Sequence, residues 1–128
     1  MSSVAYLFVY GTLKSGIRRN RYARYLVQNA DLLGKGRTPG RLFALKRYPG
    51  LRRALGEQEW VQGEVFRLRT PVQTLQYLDG YEGPDYRRMQ QWVECEGGHR
   101  QRCWVYVWQR ALARMRRVES GIWEGQMS

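Results

Sequence analysis

The chain has few of the residues that build cofactor and metal centres. Its 128 residues include two cysteines and one histidine. Two cysteines make no disulfide framework, although Cys95 and Cys103 are spaced to face each other across a hairpin. The Cys-x3-His-x3-Cys run through His99 offers three ligands on one Gly-rich turn with no fourth partner, a poor zinc set. Two half-buried strand cysteines and a turn histidine are expected there, and no metal. Nowhere do about eighteen apolar residues follow one another, so no membrane-spanning helix is expected. Val4-Ala5-Tyr6-Leu7-Phe8-Val9-Tyr10, after Met1-Ser2-Ser3, lacks the basic start and longer apolar stretch of a signal peptide. A cytoplasmic location is the expectation.

Lysine is scarce as well. Of 22 basic residues only Lys14, Lys35 and Lys46 are lysine, so arginine carries the net charge of +11. A basic domain invites a nucleic-acid reading, because phosphate contacts by Arg and Lys dominate such affinity. The arginines are nevertheless scattered, from Arg18-Arg19 through Arg52-Arg53 and Arg87-Arg88 to Arg116-Arg117. No RNA-recognition aromatic motif, helix-turn-helix pattern or basic tail accompanies them. A solvated, arginine-biased surface is the better reading, and nucleic acid is not the expected partner.

What is abundant is packing material: 43% apolar residues, with nine Tyr, five Trp and three Phe. That suffices for a core without staples, and one domain over residues 1–128 is expected. Val4 to Tyr10 is apolar on both alternating faces, which suits a central strand covered on both sides. Ser15 to Arg24 reads as a basic loop leading into a short helix near Tyr22–Leu26. Asp31–Lys35 and Arg41–Leu45 read as short strands, Pro49-Gly50 as a turn before Leu51–Leu55, and Trp60–Leu68 as a longer strand. One stretch is clearly helical: Thr70 in the capping position, Pro71 in the first turn, and Val72, Leu75 and Leu78 at helical spacing. Gly83-Pro84 stops it. Arg87–Glu96 and Arg100–Trp108 then form a hairpin around Gly97-Gly98, and the last twenty residues read as basic and then irregular. Short strands with glycine turns do not suggest alternating βαβ units. The expected fold class is α+β, a small, mostly antiparallel β-barrel with one or two flanking helices.

Glu82 is the most informative side chain. It lies at i+7 from Leu75 and so belongs to the apolar stripe of that helix. Burial and the negative end of the helix dipole both disfavour its charged form, the direction wanted in a general acid/base. The alternative from the pattern is a frayed end, with Glu82 in solvent or paired to Arg87 or Arg88. Tyr10-Gly11-Thr12-Leu13 follows the first strand directly. Gly11 permits a sharp turn or close approach of a ligand, and successive main-chain N–H groups there form a concavity suited to a carboxylate or oxyanion. No Gly-Lys-Ser/Thr follows, so this is not a P-loop. Ser15-Gly16 is no nucleophile elbow, and His99 on an exposed turn is the single candidate base for a Ser or Cys nucleophile. Glu57, Glu59 and Glu64 read as solvated face residues.

Taken in order along the chain, these pieces resemble the γ-glutamylcyclotransferase-like superfamily, in particular its γ-glutamylamine cyclotransferase and AIG2-like branch. Phe8-Val9-Tyr10-Gly11-Thr12-Leu13-Lys14 is similar to the family's opening strand and substrate loop. Gly40-Arg41-Leu42-Phe43, Tyr48-Pro49-Gly50-Leu51 and Gly63-Glu64-Val65-Phe66 resemble the strands that follow. Leu78-Asp79-Gly80-Tyr81-Glu82-Gly83 with Tyr86-Arg87-Arg88 resembles the catalytic segment. Ser120-Gly121-Ile122-Trp123 resembles a tail usually read Ser-Gly-Asp-Trp, with Ile122 in place of the acid. The resemblance implies a small β-barrel enzyme that cyclises a γ-glutamyl amide to 5-oxoproline. It puts Glu82 in the catalytic role and Tyr10, Gly11, Thr12 and Leu13 in substrate binding. A small-molecule substrate and no cofactor or metal are implied. Two other classes stay open at this point: a binding module that holds a γ-glutamyl compound or amine without turnover, and an arginine-rich nucleic-acid binder.

Overall fold

A computed structural model describes residues 4–11, 21–45, 48–112 and 115–124. The elements run β1 (Ala5–Val9), α1 (Arg21–Asn29), β2 (Ala30–Pro39), β3 (Arg41–Leu45), β4 (Tyr48–Arg52), β5 (Trp60–Leu68), α2 (Pro71–Glu82), β6 (Tyr86–Cys95), β7 (Arg100–Trp108) and β8 (Arg116–Val118). Five strands close a barrel in the order β1-β5-β2-β6-β7, and β4-β3-β8 form a second, three-stranded sheet. All pairings are antiparallel except the closing one, where β1 meets β7 in parallel at Leu7 opposite Trp104. The expected α+β barrel with flanking helices is what the chain forms.

The alternation along β1 explains why it reads as apolar on both faces. Phe8 and Tyr10 join Val61, Val65, Val93 and Val105 in one core, which Leu42, Leu51 and Trp123 extend toward the second sheet. Leu7 and Val9 point the other way, into a second core with Phe66 and Leu68 that is covered by Leu26 of α1 and Leu75 and Leu78 of α2. Each face of one short strand therefore nucleates its own layer.

Several boundaries differ from the sequence reading. β2 continues to Pro39 because it pairs with nine residues of β5, passing a bulge between Leu32 and Gly34. Pro49 and Gly50 are not a turn; they lie inside β4, opposite Ala44 and Phe43. A proline is tolerated there because β4 is an edge strand. The tail is not wholly irregular either: β8 pairs Val118 with Leu42, and Trp123 is buried. Thr70 occupies the N-cap position of α2 but makes no side-chain capping bond; its Oγ1 lies 3.3 Å from the Thr74 Oγ1. Val72, in the first turn, is 71% exposed, and Thr74 takes the inward position instead. Both cysteines are free; burial pushes the Cys103 thiol up to about 12 and raises Cys95 as well.

Glu59 is the largest departure. It is not solvated but sits at 13% side-chain exposure between Arg41 at 2.6 Å and Arg117 at 3.4 Å. Its Oε1 also accepts from the backbone N–H of Leu55 and Gly56 at 2.6 and 3.0 Å. The hydrogen bond from Arg41 is the main reason its carboxyl falls to about 2, against the opposing pull of desolvation. This knot fastens the loop after β4 to the second sheet. A carboxyl depressed on folding stabilises the fold above its unfolded pKa and loses that effect as pH falls toward its folded value. Glu59→Gln should therefore lower the thermal midpoint at pH 7, and the deficit should close between about pH 4.5 and 2 in melts followed by circular dichroism.

Candidate functional site

A cavity of about 340 Å³ opens where the end of β1, the C-terminus of α2 and the strand β4 converge. Its size falls at the lower end of small-molecule sites. Phe8 to Gly11, Tyr48 and Pro49, Tyr81 and Glu82, Asp85 and Tyr86, and Tyr106 and Trp108 line it. Three of the five predicted site residues thus meet at one cavity: Tyr10, Gly11 and Glu82. Thr12 and Leu13 lie outside the described residues. Ile122 of the tail is exposed and not part of this lining.

Glu82 is the last residue of α2, and Gly83 ends the helix with a positive φ of 80° and an N–H that returns to the Asp79 carbonyl at 3.0 Å. That conformation suits glycine and points the chain away so that the Glu82 side chain faces the cavity wall. Among the described residues no hydrogen bond or ion pair reaches its carboxylate. Desolvation, and secondly the nearby Asp79 charge, lift its carboxyl from the usual range to about 7. Pairing of Glu82 with Arg88 does not occur, because Arg88 is taken by Asp79 through Nε at 2.9 Å and Nη2 at 3.1 Å. The other acid on the lining, Asp85, is paired with Arg110 at 2.7 Å. No lysine, arginine or histidine lines the cavity among the described residues.

Tyr10 lines the cavity and also braces it. Its buried hydroxyl donates to the Tyr106 carbonyl at 2.5 Å and accepts from the Leu51 N–H at 3.2 Å. Burial raises the phenol well above its ordinary pKa. The side chain therefore bolts β1 to β7 and β4, and both of its hydrogen-bonding functions are already used. Gly11 is required for packing: a Cβ there would run into the Pro49 ring. The glycine lets β4 close over the end of β1 and so helps shape the cavity mouth.

The sequence reading quoted Asp79 and Tyr86 only within the segment that resembles the catalytic one and gave no role of their own to them or to Tyr106 and Trp108. Tyr86 donates to the Pro49 carbonyl at 2.6 Å and meets Trp108 edge-on at 5.2 Å between ring centres. Tyr106 donates to Asp79 at 2.7 Å. Burial raises both phenols, so they stay neutral over the ordinary pH range. A signal for Asp79 was present, since it precedes Glu82 by three residues and so shares its helix face. Tyr106 and Trp108 come from a strand whose alternation says which residues share a face, not which element they meet.

The family model for gamma-glutamyl cyclotransferase, AIG2-like, matches residues 7–125. The chain belongs to that family. The gamma-glutamylcyclotransferase family protein YtfP of Escherichia coli K12 is 33% identical over 120 residues, covering 91% of this chain and 94% of YtfP. The solution structure of YtfP superimposes with a TM-score of 0.65 over 93% of this chain and 96% of that one. A putative gamma-glutamylcyclotransferase of Drosophila melanogaster is 34% identical over 110 residues, 80% of this chain and 69% of its own length. A mouse AIG2-like protein shares the fold at a TM-score of 0.68 and 28% identity, over 83% of this chain and 78% of that structure. Within this family fold, the cavity beside Glu82 is built from the segments that resemble its opening strand and catalytic segment.

Replacing Tyr10 by Phe removes a bolt without changing ring volume and leaves a buried N–H and carbonyl short of a partner. Urea unfolding should show a loss of about 1–3 kcal/mol with the fold retained. An unchanged midpoint would return Tyr10 to a purely ligand-facing role.

Proposed function

We propose that this protein is a γ-glutamylcyclotransferase that converts a γ-glutamyl amide to 5-oxoproline and a free amine, with Glu82 as acid/base. The observation that carries this reading is a carboxylate on a small-molecule cavity, without a partner among the described residues and with its carboxyl lifted to about 7. A group poised near neutrality serves as base and then acid in one turnover. Family membership supports the reaction class.

The chemistry needs little else. The substrate's α-ammonium gives one proton to the Glu82 carboxylate, and the freed nitrogen attacks the γ-carbonyl carbon. A five-membered ring closes around a tetrahedral centre whose oxygen carries the negative charge. Glu82 returns its proton to the departing nitrogen and the carbon–nitrogen bond breaks; the ring nitrogen's remaining extra proton passes through Glu82 to the released amine, so 5-oxoproline and an ammonium leave. The reaction is intramolecular, so folding the γ-glutamyl chain into the attack geometry supplies much of the acceleration. Main-chain N–H groups of the Gly11–Leu13 segment are the proposed partners of the substrate and of the developing oxyanion. Tyr48, Tyr86 and Trp108 give the cavity aromatic walls against which a substrate chain can pack.

The test is 5-oxoproline release from a panel of γ-glutamyl amino acids and γ-glutamylamines. Glu82→Gln should keep the fold and lower kcat/KM by about a hundredfold to ten-thousandfold. For the wild type, kcat/KM should rise with pH through a midpoint near 7, since the base form of Glu82 is required. Equal release by the variant would remove Glu82 from the chemistry.

A further inference from the structure

Asp79 lies one turn before Glu82 on α2, and three hydrogen bonds from two barrel strands hold it. Arg88 of β6 grips both carboxylate oxygens at 2.9 and 3.1 Å, and the Tyr106 hydroxyl of β7 donates to Oδ1 at 2.7 Å. Arg88 in turn lies over the Trp104 ring of β7, 4.5 Å from its centre. The Gly83 N–H that caps the helix also returns to the Asp79 backbone. This is more attachment than a helix end needs, and it joins the last turn of α2 to two barrel strands at once.

We propose that Asp79 is a positioning residue for Glu82: braced by Arg88 and Tyr106, it fixes the last turn of α2 and keeps a constant negative charge beside the Glu82 carboxylate. The inference rests on the assignment of Glu82 given above.

The surrounding groups leave Asp79 as the variable that matters. The titratable groups that share the cavity with Glu82 are Tyr10 at the end of β1, Tyr48 of β4, Tyr81 beside it on α2, Asp85 just before β6, Tyr86 of β6 and Tyr106 of β7. Tyr10, Tyr86 and Tyr106 are all pushed up by burial and carry no charge near neutrality. Asp85 is neutralised by Arg110 at 2.7 Å. Burial alone would raise the Asp79 carboxyl, but the hydrogen bonds from Arg88 and Tyr106 more than offset it and hold it below its ordinary value. Asp79 thus stays ionised while Glu82 titrates, and like charge at this range disfavours the second carboxylate. The clamp has two opposed electrostatic parts, an anion that raises Glu82 and a cation that moderates the anion.

Two variants separate this from a merely structural role. Asp79→Asn removes the anion and keeps Arg88; the Glu82 titration should move down by roughly one unit. Arg88→Gln removes the cation and keeps the anion; the titration should move up. The readout is the side-chain carboxyl resonance of Glu82 in 13C NMR across pH, assigned by its disappearance in Glu82→Gln. Opposite shifts in the two folded variants are the expected result. No shift, or shifts of the same sign, would overturn the proposal, and Arg88→Gln decides the matter alone if Asp79→Asn does not fold. The titration needs no substrate, so it is independent of turnover. A silent substrate panel with opposite shifts would count against the cyclotransferase reading and leave Asp79's role intact. Normal turnover with an unmoved titration would do the reverse.

Discussion

Keeping a carboxylate without a partner is costly, and the fold around Glu82 is arranged so that nearby donors are occupied elsewhere. The chain carries 22 basic residues against 11 acidic ones, so a bare carboxylate is the least expected feature of its surface. Yet Arg88 is held by Asp79 and Arg110 by Asp85. Three of the five phenols that line the cavity also donate to protein groups rather than to Glu82: Tyr10 to the Tyr106 carbonyl, Tyr86 to the Pro49 carbonyl, and Tyr106 to Asp79. Each of these bonds also ties together two elements of the cavity wall. The interactions that stabilise the site are therefore the same ones that leave Glu82 desolvated and free to exchange a proton.

The two halves of the site have different physical origins. Glu82 comes from the end of a helix whose apolar stripe, Leu75 and Leu78, is anchored on the outer barrel face. The opposite wall comes from β4, an edge strand of the second sheet, drawn in by Tyr10, by Tyr86 and by the absence of a Cβ at Gly11. The cavity thus lies between a helix end and an edge strand held by two phenols. The Glu59 knot, which fastens the loop after β4, lies on the same structural line although it touches no part of the cavity.

How much of this was legible in the sequence depended on whether the information was local. β1, β5, α2 and the β6–β7 hairpin were readable from periodicity and turn residues, because their patterns are set by neighbours along the chain. The stripe Leu75-Leu78-Glu82 was right where it mattered, while Val72 failed because a first-turn residue reaches past the barrel. Pro49-Gly50 misled because only the second sheet makes an edge strand out of a turn-like pair. Glu59 was misread because its two arginines come from β3 and β8, 18 and 58 residues away. Tyr10 and Gly11 were drawn to the site as motif residues, and both line the cavity. The reasons they are needed, a buried phenol bolt and a proline ring, belong to β7 and β4 and leave no mark in the motif itself.

The central claim is that Glu82 is desolvated and unpaired in the folded protein, and thermodynamic linkage tests it without any substrate. A carboxyl whose folded pKa is raised binds its proton more tightly in the folded state than in the unfolded one. The fold must then lose stability as pH rises from about 4.5 through about 7. The measurement is the unfolding free energy of wild type and Glu82→Gln across that range. The account expects the two to coincide near pH 4 and the variant to become the more stable above about pH 7. A constant difference at every pH, or a variant that loses stability relative to wild type as pH rises, would contradict it.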